Sequence, residues 1–251
     1  MLTKDASAER TADRSPNPQY PLPRFGPSAY LGIREAGSAI ELARLFTRLP
    51  ALARCPRGRG EPVIVLPGFG ASDGSTLVLR STLRYLGYSV SGWGLGLNTG
   101  NVERLLPEVA ELVARRAQGA KTRIRLVGWS LGGILAREVA REAPQHVDRV
   151  VTLGSPVVGG PKYTATARFY RALKRDLDEI EKAIEEREST PIEVPITAIY
   201  TESDGIVDWR ACIDRRSPRV EHIPVRSTHC GLGFSPEVLR IVAERLAVYY
   251  E

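Results

Sequence analysis

The stretch "TRIRLVGWSLGGILARE", residues 122–138, sets a β-rich run directly against a helical one, with a serine at the junction. Gly128 and Gly132 bracket Ser130 in the pattern GxSxG. Small residues at those two points allow a tight turn and close packing, so the hydroxyl stands clear at the end of the strand. A serine hydroxyl is a weak nucleophile and needs both a base and a site for a developing oxyanion. The helix beginning at Leu131 aims its first N–H groups at the same point. In a chain with 23 Gly the pattern alone carries little weight. Its context decides.

Working outward, the chain alternates β-rich and helical stretches. "PVIVLPG" (62–68), "YSVSGWG", "TRIRLVG", "VDRVVTLGSP", "PITAIYTES" and "VEHIPV" read as strands. Between and after them, "STLVLRSTLRYLG", "NVERLLPEVAELVARRAQG", "SLGGILAREVAREAP" and "SPEVLRIVAERLAVYY" read as helices. Strands separated by helices imply a mostly parallel central sheet flanked by helices, with ligands beyond the carboxyl ends of the strands. "ARFYRALKRDLDEIEKAIEERES" has Phe169, Leu173, Leu177, Ile180 and Ile184 at helical spacing and predicts one long, one-faced helix. Residues 161–190 are then either a crossover helix or a small helical cap over the site, and both readings stay open. Ile33, Ile40, Leu45, Phe46 and Leu49 predict a further amphipathic helix that Pro50 ends. Residues 1–27 read as a loosely packed leader and 28–251 as a single domain.

Composition excludes several classes. A hydrophobic fraction of 43% with 25% charged residues is that of a globular protein. Charged residues, glycine or proline interrupt every apolar stretch before it is long enough to span a membrane. The start lacks the succession of a secretory signal, so a cytoplasmic setting is expected. Of the net charge of +6, residues 1–60 carry +5, from ten Lys and Arg against five Asp and Glu. Without clustering or interleaved aromatics, no nucleic-acid partner is expected. Peripheral contact with a membrane or lipid surface stays open. Cys55, Cys212 and Cys230 offer no metal-type spacing, and neither metal nor cofactor is expected. "SGWGLGLNTGN" fails the dinucleotide pattern GxGxxG in both frames, at Leu97 and at Thr99.

Three histidines compete for the role of base. His146 lies between a helix and the next strand, on the wrong end of the sheet. His222 is inside the last strand. His229 follows that strand on the rim that Ser130 occupies, and is the expected base. The orienting acid belongs after another strand, between serine and histidine in sequence. Asp204 in "YTESDGIVDW" fits best, Asp208 is the runner-up and Glu202 sits too close to the strand. Leu131 supplies one oxyanion N–H. The glycine loop "LPGFG" supplies the other at Phe69, with Gly68 and Gly70 letting it turn.

These residues resemble the α/β-hydrolase superfamily, from about residue 61 onward. "VIVLPGFGASDGS", "GWGLGLNTG", "LVGWSLGGILARE", "TLGSPVVG", "YTESDGIVDW" and "HCGLG" look like bacterial lipases and esterases, including those related to GPI inositol deacylases and class 2 lipases. The resemblance implies an α/β-hydrolase fold, a Ser130–His229–Asp204 triad, and Phe69 and Leu131 as oxyanion donors. One departure is Pro67, where many members carry His. The expected activity is hydrolysis of carboxylic esters, small-molecule or lipid, through an acyl-enzyme. Acyl transfer by the same triad and a non-catalytic binding protein on the same fold are the alternatives. Trp93, Leu95, Leu97 and Trp129 are the candidate acyl-site lining. A Cys212–Cys230 bridge would tie the two catalytic loops together, while a cytoplasmic setting favours free thiols.

Overall fold

Strand order decides where a ligand can sit. The computed structural model describes residues 21–248. Its strands are β1 (Pro62–Leu66), β2 (Ser89–Gly92), β3 (Ile124–Trp129), β4 (Val147–Leu153), β5 (Ile196–Tyr200) and β6 (Val220–Pro224). They form one sheet in the order β2-β1-β3-β4-β5-β6, with every pairing parallel. The chain steps outward from β1 to β2, then crosses back to set β3 on the other side of β1. The loops that leave β1 and β3 therefore diverge, and a crevice opens between them at the carboxyl end of the sheet.

Both faces of the sheet are covered, which is why β1 reads Val-Ile-Val-Leu without a polar residue. Val63 and Val65 pack with Leu45 and Leu52 of α2 (Ser38–Leu52), Leu79 and Leu83 of α3 (Leu77–Tyr85), and Leu239 and Val242 of α8 (Pro236–Leu246). Ile64 and Leu66 face the other way, toward Leu105, Val109 and Val113 of α4 (Val102–Ala120) and Leu135 and Val139 of α5 (Leu131–Glu142). Burial of each such side chain contributes roughly 1.5–3 kcal/mol, and the alternation fixes which side of every strand faces which helices.

Three expectations about elements change. The long helix is two, α6 (Ala167–Ala172) and α7 (Leu177–Glu188). Lys174 takes a left-handed φ of 55°, and the Asp176 carboxylate accepts the N–H groups of Asp178 (2.8 Å) and Glu179 (3.2 Å), so a new helix starts there. The segment they belong to has a connecting role and a place at a cavity. It connects β4 to β5, its α7 end is tied to α5 through Glu188 with Arg137 and Arg141, and Tyr170, Ile180 and Ile184 of α6 and α7 line the cavity described below. The early helix runs past Pro50 to Leu52, preceded by a short helix α1 (Ala29–Arg34). Of the expected leader, residues 1–20 lie outside the described residues, and 21–28 hold neither helix nor strand. The closing helix ends at Leu246, and the last residues of its expected span, 249–250, lie outside as well. No helix among the described residues is long and apolar enough to cross a membrane.

Candidate active site

Ser130 sits between β3 and α5 with φ 54° and ψ −121°, a conformation that residues with side chains rarely adopt. Its surroundings hold it there. The Ser130 N–H donates to the Leu153 carbonyl at 2.7 Å, and the Gly133 N–H donates to the Ser130 carbonyl at 2.9 Å. Three glycines make the turn sterically feasible. A Cβ on Gly128 would collide with the Gly132 carbonyl oxygen, one on Gly132 with the Leu66 carbonyl oxygen, and one on Gly133 with the Ser155 hydroxyl. The elbow is thus wedged between β1, β4 and its own helix.

The loop after β5 carries Asp204 and the loop after β6 carries His229. His229 Nδ1 lies 2.7 Å from Asp204 Oδ2. Asp204 is 2% exposed, and its other oxygen accepts the N–H groups of Ile206 (2.8 Å) and Val207 (2.7 Å), which fixes the carboxylate plane. Gly154, at the end of β4, leaves room for the imidazole: a Cβ there would lie 3.0 Å from His229 Nδ1. Burial alone pushes the His229 pKa down, but the Asp204 carboxylate outweighs it through charge and hydrogen bond, and Glu35 adds to the upward shift. With Nδ1 engaged, Nε2 is the ring nitrogen left for a serine.

The competing residues have other work. Asp208 accepts the Arg210 N–H at 3.0 Å and starts a short 3-10 turn, Trp209–Cys212. His222 Nε2, within β6, accepts the Asp214 N–H at 3.0 Å. Glu202 is exposed. His146 closes a 3-10 turn ahead of β4, at the opposite end of the sheet.

Leu131 is the first residue of α5, so its N–H has no acceptor within the helix. Across the crevice a Cβ on Gly68 would come within 3.3 Å of Ser130 Cβ, which puts the glycine loop and Phe69 beside the serine. A residue absent from the sequence reading holds this loop. Asn98 is fully buried. Its amide donates to the Pro67 carbonyl (2.9 Å), its N–H donates to the Ala71 carbonyl (2.8 Å), and its carbonyl accepts the Gly70 N–H (2.8 Å). These three bonds bracket Phe69 on both sides.

Ser130, His229, Phe69 and Leu131 all line one cavity of about 410 Å³. Its wall is mainly apolar, with Trp129, Ile134, Ile180, Ile184 and Val207. The expected acyl lining is corrected at three of four positions. Trp93 is 1% exposed and packs in the core with Ile64 and Leu66, Leu95 packs against the same core, and Leu97 is 58% exposed. Only Trp129 of the four is on the cavity wall, its indole N–H donating to the His229 carbonyl at 3.2 Å. The Cys212–Cys230 bridge is not formed. Both are free thiols, Cys212 buried and Cys230 at the cavity. Burial and the neighbouring Glu35 carboxylate push the Cys230 thiol up to about 12. Among the described residues, no group of His, Cys, Asp and Glu is arranged to hold a metal ion.

Two glutamates of the early helical segment also reach the site. Glu35 accepts the N–H groups of Gly205 (2.8 Å), His229 (2.9 Å) and Cys230 (2.8 Å), and so bridges the acid loop and the histidine loop. Burial works against its ionised form, yet those N–H donors hold its pKa below the usual carboxylate range. Glu41 accepts the Thr228 N–H (3.0 Å) and the Ser227 hydroxyl (2.7 Å). The sequence held one signal: these are the only acids in residues 21–52, a stretch otherwise studded with arginine.

The alpha/beta hydrolase fold family model matches residues 61–190. A pimeloyl-[acyl-carrier protein] methyl ester esterase from Aeromonas hydrophila is 31% identical over 102 residues, covering 39% of this chain and 39% of that protein. The chain thus spans about two fifths of the length of the curated relatives it matches. Among solved structures, a monoacylglycerol lipase from Paleococcus ferrophilus aligns with TM-score 0.55 at 16% identity, over 75% of this chain and 96% of that one. The Bacillus licheniformis lipase BlEst2 aligns with TM-score 0.58 at 14% identity, over 78% and 95%. At those identities the likeness is one of fold.

Proposed function

The chain belongs to the alpha/beta hydrolase fold family, and on that premise we propose that it is a serine hydrolase cleaving carboxylic esters with apolar acyl groups through an acyl-enzyme. The observation that carries this reading is that a serine in a strained elbow lines the same cavity as His229, whose other ring nitrogen lies 2.7 Å from Asp204. His229 Nε2 takes the Ser130 proton as Oγ attacks the ester carbonyl. Asp204 holds the proton on Nδ1 and stabilises the imidazolium that forms. The N–H groups of Phe69 and Leu131 receive the oxyanion. His229 then protonates the departing alcohol, and in the second half it activates water to release the acid.

The apolar wall beneath α6 and α7 supports an acyl chain as the group received. Small-molecule and lipid esters both fall in this class, as does the methyl ester for which the Aeromonas relative is named. Hydrolysis of p-nitrophenyl butyrate and octanoate by the parent and by Ser130→Ala tests the reading. Loss of activity on the order of 10⁴-fold or more is expected. An unchanged rate in the variant would overturn the mechanism.

A further inference from the structure

A second depression, of about 380 Å³, lies between α2, the loop leading into the His229 turn, and α8. Four arginines line it, Arg44, Arg48, Arg226 and Arg240, together with Glu41 and Glu237. Among the described residues neither carboxylate forms an ion pair with them, so two of the four charges are offset only through space. Both oxygens of Glu41 are taken by Thr228 and Ser227, and Glu237 receives the Arg226 backbone N–H at 3.4 Å. Arg240 pairs with Glu244 at 2.6 Å. Among the described residues, Arg44, Arg48 and Arg226 make no ion pair.

Helical geometry explains why two of these charges converge. Ile40, Arg44 and Arg48 fall on one exposed face of α2 at intervals of one turn, whereas Glu41, Leu45 and Leu52 face inward. Folding requires the inward face. It does not require that three arginines with no ion-pair partner among the described residues surround one hollow, where they repel. Guanidinium forks match tetrahedral oxyanions through paired N–H donors, and a doubly charged anion answers this cluster better than a carboxylate does.

We propose that this hollow binds a phosphate-type anion, either free or as the headgroup of an anionic lipid. The site adjoins the catalytic machinery without being part of it. Arg226 precedes His229 by three residues, and Glu41 in the hollow holds Thr228 and Ser227. A bound phosphate therefore draws α2, α8 and the histidine loop together. The headgroup source has its own support on the same segment, where Phe25 (80% exposed), Tyr30 (69%), Ile33 (75%) and Ile40 (59%) face outward.

Calorimetric titration of the full chain with inorganic phosphate, and sedimentation with vesicles of phosphatidylcholine alone or doped with phosphatidic acid, test the site. These readouts are independent of ester hydrolysis, so the site stands or falls apart from the proposed activity. Saturable binding of phosphate, or of doped vesicles only, is expected, and the arm that responds identifies the source. The double variant Arg44→Gln/Arg48→Gln weakens it by roughly tenfold or more, and Arg226→Gln does so separately. Arg116→Gln on α4 leaves it unchanged. Far-UV circular dichroism and melting establish that each variant is folded. Binding of neither probe, or binding indifferent to both sets of substitutions, overturns the proposal.

Discussion

The two halves of the candidate triad are held by different physics. Ser130 is positioned by its immediate neighbours: a strand, a helix and three glycines whose missing side chains let backbone pack on backbone. His229 is positioned from far away in sequence, by Asp204 on another strand's loop and by Glu35, 194 residues upstream, and Glu41, 187 residues upstream of the neighbouring Thr228. Steric wedging keeps the nucleophile rigid whatever the charge state of the protein. Hydrogen bonds to carboxylates make the base sensitive to charge. The nucleophile side lies within the stretch that matches the family model, and the histidine, its acid and both glutamates lie outside it.

Breaking the charge side at its centre gives the largest effect. Asp204→Asn keeps the shape but favours the wrong imidazole tautomer, and kcat on p-nitrophenyl butyrate falls on the order of 10⁴-fold. Asn98→Ala deletes the side-chain bond to the Pro67 carbonyl beside Phe69 and leaves the two backbone bonds in place. A loss of roughly 10²-fold in kcat with KM little changed is expected from a misplaced oxyanion donor.

Glu35→Ala removes acceptors from three backbone N–H groups and lowers kcat by about tenfold, in line with the 1.5–3 kcal/mol of a hydrogen bond to a charged group. Glu35→Gln restores part of that rate and gives a sharper signal in a pH profile of kcat/KM. In the proposed mechanism the base is neutral His229, whose pKa the protein raises, so activity is expected to be lost as pH falls through that raised value. Removing the negative charge of Glu35 destabilises the imidazolium, and the acid limb moves to lower pH. A purely structural role would leave that limb in place. Asp208→Asn, on the same loop as Asp204 but bonded to Arg210, changes kcat by less than about twofold, within the small effects of substitutions away from the site's key bonds.

This contrast also decides what was legible in the sequence. The elbow could be read because its glycines, its strand and its helix adjoin Ser130 in sequence, even though the backbone they pack on comes from β1 and β4. Asp204 and His229 could be ranked because position relative to a strand's end says which rim a residue occupies. Trp93, Leu95 and Leu97 misled because an apolar residue in a glycine-rich loop serves a core as readily as a cavity, and Asn98 beside them is a polar anchor that no spacing announces. The break between α6 and α7 was hidden because the apolar rhythm runs through it, while the cap at Asp176 depends on one side chain turning back onto its own backbone. Glu35 and Glu41 were out of reach, since their partners are near only once the chain has folded.

The central claim is that Ser130 is an activated nucleophile, and a fluorophosphonate label tests it without knowledge of the natural ester. Incubation of the full chain with the probe, proteolysis and mass mapping are expected to find the adduct on Ser130 in the peptide containing "GWSLGG", with labelling faster above the raised His229 pKa than below it. An adduct on any other residue, or none on a folded chain, would contradict the account.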